Sequence, residues 1–186
     1  MSQPPKLEVA VLMRRERVQG PMARWQEWRW VLDDVTLQQD HFGEQARCLR
    51  ETQDGVLWIF PGHSVELYPD DAEGYMLNAT SPAPCFFVMW RMEDAPSFGA
   101  DPMPSPQRVS LSYHDAGRWL DAQETVEQVA APADVVQWMR EFAQTHHIPE
   151  EKKRQRPQSF RALTDRFGQP AKISVSDRSG RKMEGS

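Results

Sequence analysis

Few residues in this chain have the types and spacing that chemistry needs. His146-His147 could ligate a metal. Adjacent residues on a helix point in different directions, however, and no further ligand stands at zinc-like spacing, so a solvated helix end favoured by the carbonyl dipole is the plainer account. His114-Asp115 has the composition of an acid/base pair, with Ser112 as the nearest hydroxyl. That serine sits in no recognisable nucleophile elbow. Cys48 and Cys85 lie inside apolar runs, where a thiol packs as a small core residue and is not activated. The ten glycines form no phosphate loop or dinucleotide fingerprint, so no cofactor, metal or catalytic residue is expected.

What stands out instead is a binding-type constellation, Arg24-Trp25-Gln26-Glu27-Trp28-Arg29-Trp30, which holds three of the seven tryptophans. Alternation places Trp28, Trp30 and Leu32 on one face of a strand and Trp25, Glu27, Arg29 and Val31 on the other. Trp28 and Trp30 are then expected in the core. Trp25 has two readings: packed under a loop, or exposed with Arg24 and Arg29 as an aromatic and cationic partner-binding face of the kind enriched at binding hot spots. The second basic candidate is Lys152, Lys153, Arg154 and Arg156.

The elements that must hold these residues are mostly short strands. Leu7–Met13 alternates, and the charged Arg14–Arg17 ending in Gly20-Pro21 predicts a turn or loop. Ala46–Arg50 and Val56–Phe60 flank Asp54-Gly55, a hairpin signal because a tight turn needs positive φ. Pro61-Gly62 and Pro69-Asp70-Asp71 predict turns on either side of His63–Tyr68. Tyr75–Asn78 follows. Across the proline-rich Ser81–Pro84 lies Cys85–Met92, the most apolar run, which should cross the middle of a sheet. Glu93–Pro106 holds four of the 15 prolines and predicts a loop. Val109–Tyr113 predicts a strand, while Ala116–Ala130 fits a short helix, a hairpin or a turn and strand. A helix is expected over Asp134–His146, where Val135, Trp138, Met139 and Phe142 recur at helical spacing. The expected fold is mainly β with α (α+β): an antiparallel β-sandwich or partly closed barrel of about 6–8 short strands with one C-terminal helix and a disordered basic tail.

Charge divides the chain. Residues 152–186 carry ten lysines and arginines against three carboxylates, a net of +7; residues 1–151 hold the remaining twelve against twenty-four, a net of −12. A single domain over 1–151 and a basic tail over 152–186 are therefore expected. Two widely separated cysteines suit a reducing compartment, and no apolar stretch has the length of a signal or a membrane span, which together predict a cytoplasmic protein. Because the body is acidic and the tail has only Phe160 and Phe167 for base stacking, a protein partner ranks above nucleic acid.

Several segments together carry a resemblance to one family: Arg14–Arg17 after the opening strand, Trp25–Trp30, Tyr75–Asn78, Phe87–Arg91, Ser112–Asp121, and Pro149 leading to Lys152–Arg156 and Ser159-Phe160. In these the chain resembles the bacterial family catalogued as domain of unknown function 3305, over about residues 7–160. The resemblance implies a context, since members are encoded beside molybdenum-dependent formate dehydrogenases and their accessory proteins; it brings no catalytic residue. The function expected is a non-enzymatic accessory or protein-binding module that supports assembly or expression of such a dehydrogenase, with an enzyme component or maturation factor as partner. The alternatives are a small ligand-binding barrel or enzyme with an unrecognised pocket, and tail-mediated nucleic-acid binding.

Overall fold

The architecture comes from a computed structural model, which describes residues 3–94 and 102–147. Lys152, Lys153, Arg154 and Arg156, and with them the expected disordered tail, lie outside the described residues. The described elements are β1 (Lys6–Arg17), β2 (Trp28–Leu37), β3 (Arg47–Thr52), β4 (Gly55–Glu66), α1 (Ala72–Ala79), β5 (Cys85–Glu93), β6 (Met103–Ser110), α2 (Tyr113–Asp121), β7 (Thr125–Ala130) and α3 (Ala133–His146), with single 3-10 turns at Pro21–Arg24, Asp40–Phe42 and Pro69–Asp71. They build two antiparallel sheets, β2-β1-β4-β3 and β6-β5-β7. The fold is mainly β with α, as expected, and the sheets do not close into a barrel.

Where the chain departs from its sequence pattern, pairing overrides local signals. Arg14–Arg17, expected as a turn, extends β1, because Arg14, Arg15 and Glu16 have partners on both sides and Arg17 pairs with Trp28: Arg15, for example, faces Trp30 on β2 and Val56 on β4. The Asp54-Gly55 hairpin forms, but neither residue takes the left-handed conformation that was its rationale. Thr52 pairs with Gly55, and a Cβ at Gly55 would collide with the Arg15 carbonyl oxygen, so the glycine is required by the neighbouring strand. Pro61-Gly62 does not turn the chain. It is a bulge within β4, where Val9 pairs with His63 and Val11 with Phe60, so β4 spends one residue more than β1; Gly62, at φ +83°, supplies the backbone for it. Similarly, the proline-rich run before Gln107 is not all loop. Pro104 and Pro106 lie in β6, an edge strand, where a missing N–H is tolerated.

The core sits between the sheets. Six consecutive residues of β5, Cys85–Trp90, are buried, because both faces of this strand are covered. Phe86, Val88 and Trp90 join Val9, Val11, Met13 and Phe60 of the other sheet, while Cys85 and Phe87 pack with Ala116 and Trp119 of α2. At about 2 kcal/mol for each large apolar side chain fully buried, β5 is the strand the fold can least lose. Tyr75 and Ala79 of α1 and Val135, Met139 and Ala143 of α3 close one end of the main core.

Sequence pattern picks out only α3. Ala116–Ala130 resolves into α2 followed by β7, and α1 takes in Tyr75–Asn78. Cys48 is exposed, against expectation, because β3 is exposed along its whole length; Cys85 is buried as expected.

The two sheets meet along two seams. At one, the side chain of Glu127 on β7 accepts the Leu32 N–H of β2 at 2.9 Å and the Trp90 indole N–H at 2.8 Å, so one carboxylate ties the sheets together. At the other, β4 and β6 come together, and residues of both line an open cleft.

Candidate functional site

The tryptophan stretch divides between a turn and a strand. Trp25 lies in neither the predicted strand nor the shelter of a loop: it ends the 3-10 turn Pro21–Arg24 and is 86% exposed, with Met22 beside it at 61%. Pro21 at the start of the turn and the Trp25 N–H donating to the Met22 carbonyl (3.0 Å) hold its backbone. Trp28 and Trp30 do share one face of β2, but only Trp30 packs against the core. Trp28 is half-buried beneath Arg15 and Arg17, whose guanidinium carbons lie 5.3 and 5.1 Å from its ring centre. Arg29 turns to the opposite face and bonds Glu16 through Nε (2.9 Å) and Nη2 (2.6 Å). Arg24 is exposed. The hairpin from Arg14 to Trp30 thus carries five arginines against two glutamates on an otherwise acidic body.

The seam between β4 and β6 holds another concentration of polar groups, in a cleft of about 600 Å³. Gly62–Ser64 and Glu66 form one side, Gln107–Ser110 the other, and Asp71, Tyr75, Asp115, Arg118 and Trp119 the floor and end. Most of its polar groups are already partnered. Tyr68 donates a short hydrogen bond to Glu66, which raises the phenol's pKa. Asp71 bonds His114 Nδ1 at 2.8 Å. Asp115 accepts from the Ser110 hydroxyl at 2.6 Å and pairs with Arg118. Tyr75 accepts the Tyr68 N–H at 3.2 Å, and burial pushes its pKa up to about 12, too high for proton transfer near neutrality. Two nitrogen-bearing side chains have no partner among the described residues: His63 on β4, whose pKa burial lowers, and Arg108 on β6.

This geometry dismantles the catalytic candidates. His114 and Asp115 do not pair with each other, and Ser112 is a fully buried helix cap whose hydroxyl accepts the N–H groups of His114 (3.0 Å) and Asp115 (3.3 Å). The pattern Ser112-Tyr-His-Asp115 is a capping-box spacing, a signal in the sequence that marks the start of α2. His146 stacks on Phe142 at 4.3 Å and lies 3.0 Å from that residue's carbonyl oxygen, the arrangement expected of a helix end. Among the described residues no group of three or more His, Cys, Asp or Glu is placed to hold a metal, and no helix is long and apolar enough to cross a membrane. His63 and Arg108 escape sequence reasoning because nothing in their local pattern distinguishes them; only the seam brings them together.

Fold and site define a two-sheet antiparallel α+β protein with an Arg/Trp hairpin at one end and an open polar seam at the other. Residues 8–156 match the family described as "Protein of unknown function (DUF3305)", and the chain belongs to that family. No curated protein and no solved structure matches it.

Proposed function

We propose that this chain is a non-enzymatic accessory protein that docks an acidic surface of a protein partner through the turn bearing Trp25. The observation that carries the reading is the exposure of Trp25 and Met22 on a backbone-constrained turn that also bears the exposed Arg24. A large ring held at low conformational cost, with an arginine on the same turn, is the composition of a binding hot spot. The net negative charge of the body disfavours a nucleic acid, and the five arginines of the hairpin favour an acidic protein.

The context that the family resemblance implies makes a molybdenum-dependent formate dehydrogenase, or a factor in its maturation, the first partner to try. Affinity capture from cells making that enzyme should recover one of its components with the native chain and lose it with Trp25→Ala. If deletion of the gene leaves dehydrogenase activity, molybdenum content and abundance unchanged, the linkage to that enzyme fails. If Trp25→Ala captures the same proteins as the native chain, the docking surface is wrong.

A further inference from the structure

The seam cleft offers two kinds of unmet bonding capacity, and one class of ligand meets both. The first lies in the backbone. β3 leaves β4 at the Arg47–Ile59 pair, so among the described residues β4 is bonded from His63 to Glu66 on its β1 side alone, and β6, the end strand of its sheet, is bonded only to β5. A strand with one neighbour has half its amides and carbonyls pointing away from that neighbour. The second lies in the side chains. Each carboxylate lining the cleft has its donor, whereas His63 and Arg108, on opposite walls, have no acceptor among the described residues. What is missing is an anionic oxygen carried on an extended backbone.

We infer that the seam is a binding site for the C-terminal end of an extended peptide, its terminal carboxylate between Arg108 and His63 and its backbone along the free strand edge. Main-chain pairing with an exposed edge and capture of a terminal carboxylate are both recurrent peptide-recognition modes. Glu66, Asp71 and Asp115 around the cleft restrict the ligand to a single negative charge there, which disfavours phosphate and polyanions. The cleft volume falls within the range of ordinary ligand sites. Tyr68, half-exposed at the rim, and Trp119 offer apolar surface to the peptide's last side chains.

The inference rests on the chain being a protein-binding module but uses a different surface. Ser64 at the cleft pairs with Glu8, and the Trp25 turn follows Arg17, so nine residues of β1 separate the two by roughly 30 Å. The test is an array of peptides with randomised ends and free C-termini, probed with the full chain beside a matched array ending in carboxamides. Free-carboxylate peptides should bind, amidation of the best should weaken binding about tenfold or more, and Arg108→Gln, at an exposed position, should do the same. Amide shifts on titration should appear at 63–66 and 107–110. No binder on the array, equal binding of the amides, shifts confined to other residues, or binding of acetate with no peptide preference would each overturn it. Trp25→Ala should leave peptide binding intact, so failure of the hairpin as a docking surface and failure of the cleft are read separately.

Discussion

Asn78 is the residue on which the most structure converges. Fully buried on α1, it donates to the carbonyls of Cys85 and Leu111, both at 2.7 Å, and accepts the Cys85 N–H at 3.0 Å. It therefore fastens the start of β5 and the end of β6 to the helix. Asn78→Leu matches the volume but strands three buried backbone groups, and it should cost about 3 kcal/mol or more, read as a lower urea midpoint with an unchanged slope. Trp25→Ala makes the opposite case, since a side chain this exposed should change stability by no more than about 0.5 kcal/mol while removing partner capture. His63 gives stability a pH dependence. Its folded pKa lies below the free value because burial disfavours the charged ring, so acidification through the range between the free and folded values protonates the unfolded chain first and destabilises the fold. Denaturation midpoints should fall as pH drops below about 6.5, and His63→Leu should remove that share of the slope.

At the scale of elements, Glu127 shows how one side chain fixes the placement of two sheets. Glu127→Ala leaves the Trp90 indole and the Leu32 amide without their acceptor and should cost about 2 kcal/mol, whereas Glu127→Gln keeps one acceptor oxygen and should cost less; a melting series distinguishes the two. Strands with strong alternation, and α3 with its helical spacing, were legible in the sequence, as was the central place of Cys85–Met92. What was not legible depends on neighbours distant in the chain. Pro61-Gly62 has the composition of a turn, and only the pairing of His63 with Val9 makes it a bulge. The charges of Arg14–Arg17 argue for a loop until the indole rings of Trp28 and Trp30 are available to cover two of them. Likewise Trp25 carries the same alternation as Trp28, and only Pro21 and the turn that it begins take it out of the strand. Of the candidate site, Trp25, Arg24 and Arg29 were found as residues, while His63 and Arg108 were invisible because their relation exists only across the seam.

For the whole molecule, charge is distributed so that association should be steered. An arginine-rich hairpin on a body of opposite sign forms a dipolar surface, and an acidic partner approaching it gains in rate more than in final affinity. Raising salt from low to physiological ionic strength should slow association several-fold with little change in dissociation, as measured by surface-based kinetics.

The strands of the first sheet are complete by Glu66, and those of the second run from Cys85 to Ala130. During synthesis the first sheet leaves the ribosome before β5 can cover its inner face, with Val9, Val11, Met13 and Phe60 still facing water. Its β1–β2 hairpin closes over ten residues and its β3–β4 hairpin over two, but β1 and β4 first pair at Glu16 and Gly55 across some forty, so the early products are two local hairpins that must find each other. Nascent chains halted before Cys85 should be captured by chaperones that bind exposed apolar strands, and those extended beyond α3 should be released.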